Sequence, residues 1–274
     1  MDFKVAFLVD GSFYLKRLSF FKRKYYGSKP DLDPQQVVQL LNRIVKKHIE
    51  SERAERYQHL YRVFFYDAPS LDIKAHYPLK EHGETNFRAV DFSKAPEMVN
   101  RKAIIEELKK QRKVALRLGH IKHDKQWKLS NSALNRLLKG EIQFNELTND
   151  DFYYSMRQKG VDIKLGIDIA TLSQEKLVDK IVLIAGDSDF VPAAKLARTS
   201  GIDFVLDALR NNIDQSLHEH IDGLISFDLV SILKEILRCE PDERPTWWND
   251  GPNPKTPKHK KTTNKRKSKR RKYN

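Results

Sequence analysis

The chain has 274 residues and a mass of 32.1 kDa, which is enough for one sizeable α/β domain with an appendage. Its net charge is +14, but residues 251–274 contribute 11 Lys and Arg and no acid, so residues 1–250 carry only +3. A single cysteine, Cys239, excludes an intramolecular disulfide and a cysteine-rich zinc site. No apolar run is long enough for a signal peptide or a membrane span. We therefore expect a soluble, cytoplasmic protein with an affinity for polyanions.

Short apolar runs alternate with helical patterns along most of the chain. The predicted strands cover residues 5–9, 60–66, 181–185 and 202–206. The predicted helices cover residues 34–52, 99–113, 130–139, 163–174, 190–199 and 228–238. Because the strands are apolar on both faces, this order predicts an α/β fold with a mostly parallel sheet flanked by helices on both sides.

Two segments depart from the alternation of strands and helices. Residues 67–160 are rich in Lys, His and Arg, and we interpret them as a helical and irregular insertion within a domain of residues 1–240. Residues 241–274 combine several prolines with a dense run of Lys and Arg. Such a composition cannot bury a core, so we expect this tail to be disordered.

Aspartates follow two of the predicted strands at the point where each strand ends. Asp10 closes the first strand, and Asp187 and Asp189 follow the third. Asp162 is expected to cap the helix that precedes the third strand, and Asp168 lies six residues later. Ligands of open parallel sheets bind at the carboxyl ends of the strands, so these acids are expected at one edge.

A cluster of aspartates favours metal-dependent phosphodiester hydrolysis. Neighbouring carboxylates raise one another's pKa, and a hard cation relieves this repulsion. Carboxylate oxygens and water suit Mg²⁺ or Mn²⁺, and such an ion can activate a water and stabilise a leaving oxyanion. Each aspartate taken alone is equally well explained as a turn residue or a helix cap. The prediction therefore depends on their common placement.

Three motifs in this order resemble those of the NYN domain family, in the LabA-like (DUF88) branch of the PIN-like nucleases. They are FLVDGS at residues 7–12, KGVD at 159–162 together with Asp168, and VLIAGDSDFVP at 182–192. The resemblance implies a PIN-like Rossmannoid fold, a Mg²⁺ or Mn²⁺ site, and ribonuclease activity on RNA, with single-stranded RNA as the expected substrate.

The resemblance also implies roles for individual residues. The implied catalytic and metal-binding acids are Asp10, Asp162, Asp187 and Asp189, and Asp168 is a further acid of the metal site. Phe13 departs from the family's Asp-Gly-x-Asn pattern, although Ser12 offers a nearby hydroxyl. This departure leaves a non-catalytic RNA-binding or adaptor protein as the alternative function.

Two basic regions are the main candidates for contact with nucleic acid, whereas a third, at residues 109–117, is expected to be a solvated surface. The first follows Asp10, interleaves aromatic residues with cations, and comprises Ser12, Lys16, Arg17, Lys22, Arg23 and Lys24. Its aromatic residues could stack on bases or pack in the core. The second lies in the tail and comprises Lys265, Arg266, Lys267, Lys269, Arg270, Arg271 and Lys272. Charge of this density binds polyanions by counterion release, with little sequence preference.

Other classes of enzyme fit the sequence poorly. A haloacid-dehalogenase phosphatase needs a second acid where Ser12 stands, and a phosphate-binding loop needs more than one glycine. His120 with His123, and His218 with His220, lack any zinc-binding pattern, so surface or packing roles are expected. The sequence leaves open whether the protein is a homodimer.

Overall fold

The computed structural model describes residues 3–51, 57–69, 72–81 and 83–248. The strands are β1 (Phe3–Asp10), β2 (Gln58–Asp67), β3 (Lys74–His76), β4 (Ala89–Asp91), β5 (Val114–Leu118), β6 (His120–Leu129), β7 (Phe152–Lys159), β8 (Lys180–Ile184), β9 (Asp203–Asp207) and β10 (Gly223–Leu224). The helices are α1 (Gly11–Tyr25), α2 (Pro34–Ser51), α3 (Pro96–Lys109), α4 (Asn131–Leu138), α5 (Val161–Gln174), α6 (Val191–Thr199), α7 (Gln215–His218) and α8 (Leu229–Leu237).

A six-stranded parallel sheet forms the centre of the fold, in the order β10-β9-β8-β1-β2-β5. This confirms the predicted α/β fold with a parallel sheet flanked by helices. From β1 the chain moves outward through β2, and it later returns on the other side through β8. The order of strands therefore reverses between β1 and β8, where open sheets of this kind have their ligand-binding crevice.

Both faces of the sheet are buried, because β1 sends alternate side chains to two hydrophobic clusters. Val5, Phe7 and Val9 pack with α1, α2 and α8, while Ala6 and Leu8 pack with α5 and α6. Burial of each large apolar side chain contributes about 1.5–3 kcal/mol. Burial on both faces fixes the register of β1 and hence the position of the residue at its carboxyl end.

Residues 67–160 contain both core elements and an added unit. Strand β5 belongs to the main sheet, since it pairs with β2 in parallel. Helix α3 packs against this sheet and contributes Ile104 and Leu108 to the core. The added unit consists of the antiparallel pairs β3–β4 and β6–β7, with α4 between β6 and β7. The helix predicted over 99–113 is α3, which ends at Lys109 and leaves room for β5. The predicted domain limits stay predictions, and residues 249–274 of the tail lie outside the described residues.

In the described part of the chain, no helix combines the length and apolarity needed to cross a bilayer.

Candidate functional site

Asp10 occupies the junction between β1 and α1. Its carboxylate caps α1 by accepting a hydrogen bond from the Phe13 amide at 3.1 Å. The helix can begin directly after the strand because residue 11 is glycine: a Cβ there would lie 2.7 Å from the Tyr66 carbonyl oxygen. Burial raises the pKa of Asp10, and the charges of Asp162 and Asp67 raise it further, although backbone hydrogen bonds oppose them.

Asp162, Asp187 and Asp189 lie close enough to influence one another electrostatically. Asp187 caps the 3₁₀ turn Ser188–Phe190 and accepts a hydrogen bond from the Asp189 amide at 3.0 Å. Burial raises the pKa of Asp162, and the negative charges of Asp187 and Asp189 raise it further. The expected capping role of Asp162 is wrong, because Gly160 (φ +78°) caps α5 and Asp162 lies in the first turn.

The aspartate cluster is defined here as Asp10, Asp162, Asp187 and Asp189. Asp162 connects its members, because its charge acts on Asp10 while the charges of Asp187 and Asp189 act on it. The cluster lies at the carboxyl ends of β1 and β8, where the strand order reverses.

Asp168 has different partners from the aspartate cluster. Its Oδ2 accepts hydrogen bonds from the Tyr66 hydroxyl at 2.7 Å and from Arg117 Nε at 2.8 Å. Burial and the bond to Asp168 together raise the pKa of Tyr66. Asp168 therefore joins α5 to β2 and β5, and its predicted role at a metal stays a prediction.

The aspartate cluster fits a divalent cation in the chemistry of its donors. Beyond the effect of burial, the charge of Asp162 raises the pKa of Asp10, and the charges of Asp187 and Asp189 raise the pKa of Asp162, so a hard cation placed among these carboxylates would relieve their repulsion. Across residues 3–51, 57–69, 72–81 and 83–248, however, no three Asp, Glu, His or Cys side chains are gathered closely enough to hold an ion as they stand. The carboxylates are thus neighbours, but their oxygen atoms do not converge on a single position.

Two further residues lie at this edge of the sheet, Asp67 and Arg101, and neither was predicted from the sequence. Asp67 is fully buried at the end of β2, beside β1. Arg101 of α3 forms a two-point ion pair with Asp67, with Nε 2.8 Å from Oδ2 and Nη2 2.5 Å from Oδ1. The same Nη2 donates to Ser12 Oγ at 2.8 Å, so one guanidinium connects the ends of β1 and β2. The rule that found Asp10, an acid directly after a strand, would have found Asp67, whereas no local signal identifies Arg101.

Phe13 packs against the backbone of Gly186, next to Asp187. A Cβ on residue 186 would lie 2.5 Å from the Phe13 ring, so the absence of a side chain at Gly186 makes room for the ring. An aromatic ring therefore lies beside Asp187, at the chain position where the resemblance of the sequence implies asparagine.

The predicted nucleic-acid-binding residues of α1, which are Ser12 and five cations, divide into two groups. One group lines a groove of about 770 Å³ that is called the α1 groove here, and it comprises Ser12, Lys16, Lys22 and Arg23. Arg101 and Phe20 line the same groove. Within it, Lys16 and Arg23 are exposed, while Lys22 is buried and ion-paired with Asp31 at 3.3 Å.

The remaining α1 residues have other partners. Arg17 donates to the Leu209 carbonyl at 3.0 Å, and Lys24 lies over the rings of Phe20 and Tyr25. Phe21, Tyr25 and Tyr26 are buried in the core, which leaves Phe20 as the exposed ring of this stretch. The predicted cations of the tail, residues 265–272, lie outside the described residues.

The NYN domain family model matches residues 64–228, which is more than half of the chain. The chain belongs to the NYN domain family. NYN domains are typically nucleases of the PIN-like group. The matched range contains three members of the aspartate cluster and begins after the fourth, Asp10.

Other comparisons are less informative. No curated protein matches the chain. A protein of unknown function from Vibrio parahaemolyticus, VPA0982, is similar at 13% identity and a TM-score of 0.37, covering 82% of this chain and 93% of that chain. A Sir2 mutant with a p53 peptide and NAD is similar at 11% identity and a TM-score of 0.32, covering 86% of this chain and 92% of that chain. At these scores, neither similarity bears on function.

Proposed function

We propose that this NYN protein, of the LabA-like branch, is an endoribonuclease that depends on Mg²⁺ or Mn²⁺ and hydrolyses single-stranded RNA at the aspartate cluster. The observation that carries the proposal is that Asp10 and Asp187 follow the adjacent parallel strands β1 and β8 where the strand order reverses, with Asp162 near enough for its charge to act on Asp10 and for the charges of Asp187 and Asp189 to act on it. Acids that are distant in the chain repel one another at the crevice of the sheet, and membership of a nuclease family supplies a reason for this arrangement.

Each acid has a role in this proposal. Asp10, Asp162 and Asp187 would hold the ion, and Asp189 would be a further ligand or would orient the attacking water. The bound ion would supply positive charge that polarises the phosphate and makes a water more acidic. In the hydrolysis, the water oxygen attacks phosphorus, one phosphorus–oxygen ester bond breaks, and the ribose oxygen that leaves takes up a proton.

Residues around the cluster would position the RNA. Arg101 donates hydrogen bonds to Asp67 and to Ser12, and it therefore orients the Ser12 hydroxyl in the lining of the α1 groove. Lys16 and Arg23 would bind phosphates along this groove, where their side chains are exposed. Phe20 offers an exposed ring on which a base could stack.

The test is cleavage of end-labelled single-stranded RNA by the purified full chain with Mn²⁺. Wild type is expected to cut the RNA, and Asp187→Asn to abolish cutting while RNA affinity is kept or raised, because a negative charge facing the phosphates is removed. A matched control is Asp179→Asn, which makes the same change at the opposite end of β8, where the Asp179 carboxylate binds the Lys4 amide. Cutting that persists in Asp187→Asn would contradict the proposal.

A non-catalytic RNA-binding protein is the second candidate function. It is favoured by Phe13, which stands against Gly186 in place of a polar side chain. It predicts that wild type binds RNA but leaves it intact with either Mg²⁺ or Mn²⁺. In that case Asp187→Asn would change neither product formation nor the dependence of binding on divalent ions.

A further inference from the structure

The β6–β7 ribbon carries a basic face that lies outside both the aspartate cluster and the α1 groove. In this antiparallel pair His120 lies opposite Lys159, and Lys122 lies opposite Arg157. Residues opposite one another, or two apart along a strand, share a face of the ribbon. All four of these side chains are exposed. We define them as the ribbon face.

One acid lies near the ribbon face, and its surroundings indicate that cations predominate there. Asp124 accepts a hydrogen bond from Ser155 Oγ at 2.9 Å. This bond lowers the pKa of Asp124, and the positive charges of Lys128, Arg157 and Lys122 lower it further. Lys128 is the cation that ion-pairs with Asp124, at 3.9 Å. Within the described residues, no ion pair joins Lys122, Arg157 or Lys159 to a carboxylate.

The opposite face of the ribbon is anchored by aromatic packing. Trp127 stacks on Tyr77 with ring centroids 5.2 Å apart and meets Tyr154 edge-on at 5.3 Å. The indole N–H of Trp127 also donates to the His76 carbonyl at 2.7 Å. A ribbon held in this way keeps the backbone that carries the cations in a fixed arrangement, which lowers the entropic cost of binding an extended ligand.

The ribbon leads directly to the aspartate cluster. Gln158, next to Lys159, accepts a hydrogen bond from Ser12 Oγ at 3.0 Å, two residues after Asp10. At the end of β7 the chain turns through Gly160 into α5, which places Lys159 three residues before Asp162. Because side chains alternate along β7, Gln158 fixes the ribbon to the site by its opposite face, and Lys159 is the member of the ribbon face that leads into the aspartate cluster.

We propose that the ribbon face binds the phosphate backbone of the RNA strand on one side of the scissile phosphate. This inference rests on the proposed function, and it assigns to the ribbon a part of the substrate outside the cluster. Cations two residues apart along a strand are separated by roughly 6.7 Å, a spacing on the scale of successive phosphates. Contacts of this kind position RNA without reading its sequence.

The test measures RNA binding without divalent ions, so that no cleavage occurs. Fluorescence anisotropy of a labelled single-stranded RNA is recorded over a range of salt concentrations for the full chain. Lys122→Gln combined with Arg157→Gln should weaken binding and make the slope of log affinity against log salt shallower by about 1.4, or about 0.7 for each lost phosphate contact.

Two matched variants make the result specific. Lys4→Gln combined with Lys176→Gln removes the same charge from exposed positions at the other end of the sheet, and should leave the slope nearly unchanged. The exchange Lys122→Arg with Arg157→Lys keeps the charge and should retain binding. Thermal unfolding verifies each fold. If the first double variant is unstable, Lys122→Gln with Lys159→Gln takes its place.

The outcomes separate this inference from the proposed function. An equal loss in the ribbon and control variants would overturn the inference, because binding would then depend on total charge alone. An unchanged slope in the ribbon variant would overturn it as well. A wild-type chain that binds RNA through the ribbon face but cuts no RNA with Mn²⁺ would contradict the proposed nuclease activity. The inference that the ribbon face binds RNA would still hold.

Discussion

Replacing Arg101 with methionine should destabilise the fold strongly, because it leaves the Asp67 carboxylate buried without its cation. The Asp67 side chain is 0% exposed, while that of Arg101 is 24% exposed. Burial already raises the pKa of Asp67, and the hydrogen bond and charge of Arg101 oppose this rise. Methionine preserves much of the aliphatic stem of Arg101, so the loss of stability reports mainly on the lost cation.

The expected cost is about 3 kcal/mol. Removal of one partner from a buried ion pair costs about 3–5 kcal/mol, since the remaining charge stays desolvated. The lower value applies because Asp67 keeps the hydrogen bond from the Ala68 amide at 2.8 Å and because Arg101 is partly exposed to water. For a domain of this size, 3 kcal/mol corresponds to a fall in Tm of about 6–12 °C.

The cost should depend on pH with a defined sign. In the variant, the folded-state pKa of Asp67 stays above its unfolded value, so the folded state binds the proton more tightly. The penalty is then fully present above the folded-state pKa. It is lost as the pH falls towards the ordinary value of 3.8. The difference in Tm between wild type and Arg101→Met should therefore shrink between pH 7 and about pH 4.

Thermal and urea unfolding at several pH values provide the assay. Asp67→Asn in the Arg101→Met background should recover a large part of the lost stability, because the buried charge is removed. The control is Arg43→Met, which breaks an exposed pair with Glu235 at 2.7 Å and should cost less than about 1 kcal/mol. A loss below about 1 kcal/mol for Arg101→Met, or a loss independent of pH, would refute the reasoning.

Two further substitutions examine the carboxyl ends of β1 and β8. Asp10→Asn should raise Tm at pH 7 by about 2–4 °C, because asparagine also caps helices while the desolvated charge near Asp162 and Asp67 disappears. The gain in Tm should vanish near pH 4, where the Asp10 carboxyl of the wild type is protonated in the folded state. A lower Tm of the variant at pH 7 would contradict this prediction. Gly186→Ala should cost about 1–3 kcal/mol, since its Cβ would lie 2.5 Å from the Phe13 ring. In a Phe13→Asn background the same Gly186→Ala change should hardly alter the urea midpoint, and a cost that persists there would place the strain elsewhere.

The main strands could be predicted from the sequence because their residues are buried on both faces. The runs at residues 5–9, 60–66, 181–185 and 202–206 correspond to β1, β2, β8 and β9. The strand β5 was missed, because its five residues are only partly buried and follow a long helix and the basic turn at residues 110–113. Its identity as a strand depends on the exposed edge of β2, which lies about 50 residues earlier in the chain.

Placement of the acids could be predicted only where a local rule applies. Asp10 and Asp187 follow strands, so their position at the edge of the sheet comes from the pattern of the chain. The place of Asp162 depends on the left-handed turn at Gly160, which shifts the cap of α5 to that glycine. The pairing of Asp67 with Arg101 spans 34 residues, and only tertiary packing brings α3 over the end of β2.

Under the proposed function, the distribution of charge explains why a nearly neutral body can bind a polyanion beside an acidic cluster. The small excess of +3 in residues 1–250 is spread unevenly, with cations on the ribbon face and in the α1 groove. Ser12 contacts Gln158 of the ribbon on one side and Arg101 of the groove on the other. An RNA strand held by both surfaces would pass Ser12, and its phosphate there would face Asp10 and its neighbours. Those carboxylates repel a phosphate until a cation neutralises them, so productive binding would depend on the divalent ion.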